Sequence, residues 1–315
     1  MKKLIISLQA ITVVVTAALA YEQEDLDMFL MLSVCERCDL SGADLRSANL
    51  FLQEISEANF RGANLSGVNA KASRFIDVDL RKANLRGADF QMSGIHGSDL
   101  RGADFSEVDL RVANFSGSQY KLSQVYDLPN QLSRAVFKKA KIHNANFSGS
   151  DLSESDLSEV YMYGFVAEKA SFNRANFAKA RIEESNFDNS NFTEANLSNT
   201  EIDSSSFSGA NLTGTNLRNA TITFSNFRGA DLSGADLSGA KLKGIDLRKT
   251  KLVGTDLTGV DLNGVQILKN NFCRTKTSVG VINPNCRDTK LIIDPPLPNP
   301  SPPTAPTTRL FQKEK

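Results

Sequence analysis

A five-residue period runs through most of this chain, and few folds can accommodate it. From Leu40, steps of five reach seventeen positions ending at Tyr120, all Leu, Ile or Phe except Ala70 and Tyr120. From Phe137, the same step reaches twenty-eight positions ending at Phe272, all Leu, Ile or Phe except Met162 and Ala167. Two residues before each of these centres stands a small residue, usually Ala, Ser, Thr or Val. Asp or Asn often lies between the two, and Gly often follows two after the centre. Ala230-Asp231-Leu232-Ser233-Gly234 shows the unit whole. Five is neither the 3.6 of a helix nor the 2.0 of a strand. Its repetition over more than two hundred residues means one small unit stacked into a rod. A large and a small apolar side chain per unit suit a thin interior, and Gly, Asn, Asp and Ser supply a turn in every unit.

A longer recurrence sets the number of units per coil. Arg181-Ile182-Glu183-Glu184-Ser185-Asn186-Phe187 returns twenty residues on as Glu201-Ile202-Asp203-Ser204-Ser205-Ser206-Phe207, and again as Thr221-Ile222-Thr223-Phe224-Ser225-Asn226-Phe227. Ile142, Ile182, Ile202 and Ile222 therefore share one phase, and Phe147, Phe187, Phe207 and Phe227 another. Like residues stack on like when four pentads close one turn, and such side-chain ladders stabilise untwisted stacked strands. A disordered low-complexity chain would lack the periodic Leu and Phe.

The repeat resembles that of the pentapeptide-repeat family over roughly residues 35 to 272. The resemblance implies an all-β fold, a right-handed quadrilateral parallel β-helix with one pentad per face. The centre and the residue two before it would point inward. The pentads would make about eleven coils and a rod about 50 Å long. Members of the family often begin with the pattern seen from Cys35 to Ala43, C-x-x-C-D-L-S-G-A.

The start of the chain reads as a secretory signal over residues 1–20. Met1-Lys2-Lys3 is basic, Leu4 to Ala20 is mostly apolar, and Ala18-Leu19-Ala20 is an A-x-A cleavage site before the acidic Tyr21-Glu22-Gln23-Glu24-Asp25. The apolar run is short for a membrane span, so no stable membrane anchor is expected after cleavage. The expected location is the periplasm, the thylakoid lumen or the extracellular space. Lys+Arg and Asp+Glu are both 36, giving formal charge +0. Loss of Lys2 and Lys3 leaves a small negative value, too small to imply a strongly charged partner. Residues 21–34 read as an amphipathic helix capping the first coil, whose apolar axis and unpaired edge need cover. Residues 273–294 read as a C-terminal cap and 295–315 as a Pro-rich disordered tail.

Four cysteines, an even number, fit an oxidising compartment. Cys35 and Cys38 flank the N-terminal cap, and Cys273 and Cys286 the exit. A disulfide needs Cα atoms within about 7 Å, so a continuous rod forbids pairing between its ends. Two local bridges or free thiols remain. Cys35-Glu36-Arg37-Cys38 also has redox and metal readings. A structural role fits better, because Cys35 and Cys38 fall on the large and small inward phases.

The period is broken once. Tyr120 and Phe137 are seventeen apart, so the first array is expected over 35–120, a loop or excursion over 121–136, and the second array over 137–272. Either one solenoid bulges there or two meet at a bend. Insertions on repeat proteins often carry binding.

Catalytic chemistry is not legible. His96 and His143 each follow a centre and should point outward, and neither H-x-x-H, a Walker loop nor G-x-S-x-G occurs. The Asp residues are spread by the repeat rather than gathered, calcium-binding nonapeptides are missing, and the N-x-S/T triplets are by-products of the repeat. A thin filled rod offers no enzyme-sized pocket. No enzyme activity, cofactor or metal is expected. Arg61, Arg81, Arg101 and Lys121, twenty residues apart, should form a basic ladder, a candidate partner-binding row that would match a polyanion or a membrane surface. Asp79 and Asp99, two residues before Arg81 and Arg101, would cancel its field.

Two function classes follow. The first is an exported scaffold or protein-interaction solenoid with an unidentified protein partner, as in the thylakoid lumen where similar cyanobacterial proteins reside. The second, also implied by the resemblance, is a DNA mimic that binds DNA gyrase. The signal peptide, the near-neutral charge and the Pro-rich tail oppose it, and no nucleic acid partner is expected.

Overall fold

A computed structural model of the chain describes residues 23–32, 35–46, 48–116, 130–267 and 272–282. The leader and the Pro-rich tail lie outside the described residues. Backbone pairing between residues twenty apart sets the architecture. Asp39, Asn59, Asp79 and Asp99 form one parallel ladder, Asp44, Asn64, Asn84 and Asp104 a second, Asn49, Asn69, Asp89 and Asp109 a third. Strands β1 (Cys35–Glu36), β2 (Glu54–Ser56), β3 (Arg74–Ile76) and β4 (Gly94–His96) form the fourth. The result is a four-faced parallel β-solenoid of about ten turns, against about eleven expected. Each centre N–H donates one coil onward and each preceding residue donates one coil back, as in Leu40 N to Asn59 O (2.8 Å) and Asn59 N to Cys38 O (2.9 Å).

The residue types of the pentad follow from this geometry. Centres and the small residues two before them are almost all fully buried. The intervening Asp or Asn faces out and its side-chain oxygen accepts the N–H two residues on, closing the corner, as Asn59 does for Arg61 (3.1 Å). Asn amides also bridge coils, Asn84 Nδ2 to Asn64 Oδ1 at 3.1 Å and Asn196 Nδ2 to Asn176 Oδ1 at 3.1 Å. The residue two past the centre takes positive φ, which explains the recurring glycine, for example Gly62 at 67°.

The predicted side-chain ladders are present. Phe187 and Phe207 stack with centroids 4.9 Å apart, and Phe207 and Phe227 at 4.8 Å. Ile182, Ile202 and Ile222 are neighbours across β6 (Arg181–Glu183), β7 (Glu201–Asp203) and β8 (Thr221–Thr223). The exception at Ala167 is compensated locally: Phe165, two before it, turns inward and lies 5.3 Å from Phe147 and 5.7 Å from Phe187. Large and small have exchanged places, which conserves the packed volume.

Three-residue strands mark one face per array, and the face changes. In the first array they carry the centres Ile55, Phe75 and Ile95. In the second, β5 (Tyr161–Tyr163) to β9 (Lys241–Lys243) carry Met162 to Leu242 on the adjacent face. Serine supports these corners. Ser205 Oγ accepts the N–H of Ser185 (3.1 Å) and donates to Asp203 O (2.8 Å), and Ser225 repeats this one coil on.

Both ends are covered. Helix α1 (Gln23–Leu32) packs Phe29 edge-on against Phe60 (5.8 Å), and its Asp25 carboxylate accepts the N–H of Asp39 (2.6 Å). It thus covers the axis and satisfies a donor that has no coil before it. At the other end, β10 (Leu252–Val253) and β11 (Asp256–Leu257) pair in parallel with β12 (Phe272–Cys273) and β13 (Thr275–Thr277), and β14 (Gly280–Ile282) turns back antiparallel on β13. Coil pairing therefore extends to Thr277, beyond the expected limit of 272. Among the described residues no helix is long and apolar enough to cross a membrane.

The break is differently placed from the sequence expectation. Asp99, Asp104, Asp109 and Asn114 pair with Gln131, Val136, Lys141 and Asn146, each step being thirty-two instead of twenty. Twelve residues are inserted, and stacking continues across them on all four faces in one solenoid. The excursion expected over 121–136 is therefore corrected: residues 130–136 belong to the coil, with Leu132 as a buried centre. Tyr120, counted as a centre by its spacing, lies outside the described residues.

Candidate functional site

The basic ladder is real for three rungs and loses its fourth. Arg61, Arg81 and Arg101 stand on successive coils, each accepting through its carbonyl an N–H from the coil before. The next rung is Ser133, because Gly102 N donates to Ser133 O (2.9 Å). Ser133 thus holds the place expected for Lys121, which lies outside the described residues. Arg81 is bonded through Nε to Asp79 (2.8 Å) and Arg101 through Nε to Asp99 (2.8 Å), each with a second, parallel bond from Nη2. Burial alone would raise the Asp79 carboxyl, but its bonds from Arg81 hold it below its ordinary value. Arg61 follows Asn59 and has no carboxylate on its own rung. The ladder is thus two neutral pairs and one cation, a weak field for a polyanion.

Other corners show the same cancellation along the rod. Arg134 bonds Glu154 (2.8 Å) and Arg174 bonds Glu194 (2.7 Å) on consecutive coils. On the sheet β5–β9, Tyr161 donates to Glu183 (2.9 Å) and lies 5.2 Å under the Arg181 guanidinium. Beside them is an open depression of about 260 Å³, lined among others by Glu201, Asp203 and Thr221. Among the described residues no cluster could hold a metal ion.

The stems of the inserted segment meet in a buried polar cluster that sequence reasoning missed. Asn130 stands where the coil normally places a small inward residue and is 0 % exposed. Its Nδ2 donates to Ile95 O and Phe115 O (both 2.6 Å), and its Oδ1 accepts the N–H of Ser98 (2.9 Å). Ser150 Oγ also donates to Phe115 O (2.8 Å). His96, expected to point outward, is instead 7 % exposed, with Nδ1 3.0 Å from Ser116 O. The glycine at Gly94 leaves room for it, since a Cβ there would lie 2.8 Å from His96 Nε2. The ring therefore lies back along its own strand and ties down the residue at which the chain departs. His143 is half-buried against Tyr161 (4.8 Å), and burial lowers its affinity for a proton.

Cys35 and Cys38 are joined by a disulfide, Cα atoms 5.5 Å apart, inside the first coil. Cys273 is also disulfide-bonded, and Cys286 lies outside the described residues.

A second feature invisible to a search for charge is apolar. Phe51, Leu52, Met92 and Val112 are 42 %, 64 %, 53 % and 57 % exposed on one corner of the first array.

Comparison with known proteins agrees with this architecture. A family model for a pentapeptide repeat region matches residues 180–257, and one for pentapeptide repeats (8 copies) matches 54–91, 95–119, 131–165 and 240–275. A comparison with curated proteins returned no match. Among solved structures, full-length QnrB1, a plasmid-mediated fluoroquinolone resistance protein, is 19% identical over 70% of this chain and 94% of its own, with a TM-score of 0.36. HetL from the cyanobacterium Nostoc sp. strain PCC 7120, involved in heterocyst differentiation regulation, is 22% identical over 84% of this chain and 99% of its own, with a TM-score of 0.25. A pentapeptide repeat protein from the Arabidopsis thaliana thylakoid lumen is 25% identical over 38% of this chain and 70% of its own, with a TM-score of 0.19. Similarities at these scores carry no argument about function. The matched repeat regions together span more than half of the chain, and their period is that of the buried ladders: the protein belongs to the pentapeptide-repeat family.

Proposed function

We propose that the protein is an exported, non-catalytic interaction solenoid that presents a rigid outer surface to a protein partner. The observation that carries this reading is the filled axis. Almost all centre and small side chains from Leu40 to Leu257 occupy it at near-zero exposure, so recognition is left to the faces, corners and ends. The basic start and A-x-A site before Tyr21 support export, as does a disulfide within the first coil.

The partner docks, in this reading, where the chain leaves the coil after Ser116 and returns at Asn130. Buried Asn130, His96 and Ser150 fix both stems there, a costly arrangement for an insertion without a role. Two measurements test the reading. Terminal sequencing of protein from its own cells should give a start at or near Tyr21; a soluble cytoplasmic form beginning at Met1 defeats export. Capture from the envelope or lumen should yield a partner that is lost when the inserted segment is shortened. That partner should be kept when Arg81 and Arg101, already neutralised, are changed to Glu. The reverse pattern would move the site to the ladder.

A further inference from the structure

Leu52, Ala72, Met92 and Val112 occupy the same corner on four successive coils. Leu52 N donates to Lys71 O (3.1 Å), Ala72 N to Gln91 O (2.8 Å) and Met92 N to Arg111 O (3.1 Å). All four take positive φ, at 60°, 56°, 57° and 63°. Such a conformation is unfavourable for any side chain and is an outlier for a β-branched residue such as Val112. Positive φ recurs at this position along the whole array, at Glu57, Asp77, Lys82 and Glu107 among others, so the backbone conformation belongs to the fold, and what sets this corner apart is its side chains. Nothing inside the coil requires these side chains, because they point away from it. The neighbouring corners carry Gly, Ser, Lys, Glu or Asp at the equivalent positions, and this corner itself turns polar at the next coil with Asn144.

We propose that this corner is a self-association seam, on which two copies pair antiparallel across a two-fold axis between the Ala72 and Met92 coils. The spacing selects a second copy. Rungs recur at about 4.8 Å, the strand spacing. A helix presents its face every 5.4 Å and would slip by about 2 Å over four rungs; another copy matches every rung. Size is self-complementary about that axis. Leu52 meets Val112 of the second copy, and small Ala72 meets long Met92, so each contact joins a larger to a smaller side chain.

Size selects the antiparallel arrangement, and charge permits it. It sets Lys71 against Gln91, Arg74 against Gly94, and Phe51 against Arg111, with no like charges opposed. A parallel pair would set Ala72 against Ala72 and Met92 against Met92, leaving a gap at one rung and crowding at the next, while Arg74 is already paired with Glu54 (2.9 Å) and selects neither arrangement. Two convex corners bury only a few hundred Å², below the roughly 1,200 Å² of a permanent interface. The association is accordingly concentration-dependent. It is separate from docking at the inserted segment and does not rest on it.

Cysteine cross-linking reads the register directly. Leu52→Cys mixed with Val112→Cys should give a disulfide-linked dimer under mild oxidation. Either variant alone should not, because like rungs at the ends lie about 14 Å apart, beyond disulfide reach. Sedimentation of the unaltered purified protein should show a monomer–dimer equilibrium that Met92→Glu, at an exposed position, abolishes with the circular dichroism unchanged. A monomer at every concentration up to about 1 mM would overturn the proposal. So would dimers in which Leu52→Cys links only to itself, or dimers in which neither pairing cross-links.

Discussion

At the scale of single residues, position on the pentad decides what a side chain contributes. Phe207 lies between Phe187 and Phe227 with no exposure, whereas Phe224 stands 61 % exposed on a corner beside Lys243. Phe207→Ala should cost about 3–5 kcal/mol, through lost contacts and a cavity that two stacked neighbours cannot fill. Phe224→Ala should cost almost nothing, because that ring is largely in water and the Cβ that a φ of 47° strains is the same in both residues. Hydrogen exchange of the flanking coils separates the two, since unfolding of a repeat array need not be two-state. Asp256 offers a pH readout. Bonds from Lys276 (2.8 Å) and Thr258 hold its carboxyl down to about 2, against an ordinary 3.8. A depressed carboxylate stabilises the fold above its unfolded value, and that contribution is lost as pH falls through the folded one. Proteolysis of the β13–β14 hairpin should therefore rise between pH 4 and about 2, and Asp256→Asn should remove most of the dependence.

At the scale of elements, the ends and the inserted stems do what the repeat cannot. The repeat usually supplies a centre's carbonyl with a donor from the next pentad, as Ala113 N does for Leu110 O (3.0 Å). Where the chain departs after Ser116, Asn130 and Ser150 provide the donors for Phe115 O, and Asn130 takes the Ser98 N–H. Asn130→Ala leaves buried groups unpaired, at about 1–3 kcal/mol each. It should raise exchange at Ile95–Ser98 and Asn114–Ser116 while leaving the coils beyond Phe187 unchanged; protection lost uniformly would contradict a local role. The disulfide in the first coil closes only a short loop, so it contributes about 2 kcal/mol or less. Thiol counting on unfolded protein isolated without reductant should find no free thiols, and finding four would reject the disulfides.

At the scale of the whole molecule, stability is a sum of coils and their neighbour contacts. Removing residues 185–204, one full coil, keeps every ladder in phase: Ser205 follows Glu184, and Phe207 takes the place of Phe187. Removing ten residues brings each face onto the one opposite. The twenty-residue deletion should retain a cooperative β-solenoid by circular dichroism and thermal unfolding, and the ten-residue deletion should lose it. Equal tolerance of both would contradict four pentads per coil.

Much of this was determined by the sequence alone. The five-residue period and the twenty-residue recurrence of Ile182 and Phe187 dictate four pentads per turn, because only that stacking buries like upon like. The corners that follow the three-residue strands are legible after the fact in Ser185, Ser205 and Ser225. The inserted segment was misplaced because Tyr120 keeps the spacing of a centre. Only pairing between coils, Asp99 with Gln131 rather than with a residue twenty on, reveals which spacing the backbone uses. His96 was read as outward for the same reason: periodicity gives the direction of a Cβ, and only the space above Gly94 and the carbonyl of Ser116 turn the ring in. The cancellation of Arg81 and Arg101 could be foreseen from Asp79 and Asp99, since those pairs are local. The exposed corner of Leu52, Ala72, Met92 and Val112 could not. Its members are twenty residues apart and individually unremarkable, and only stacking of the coils makes them one continuous apolar edge.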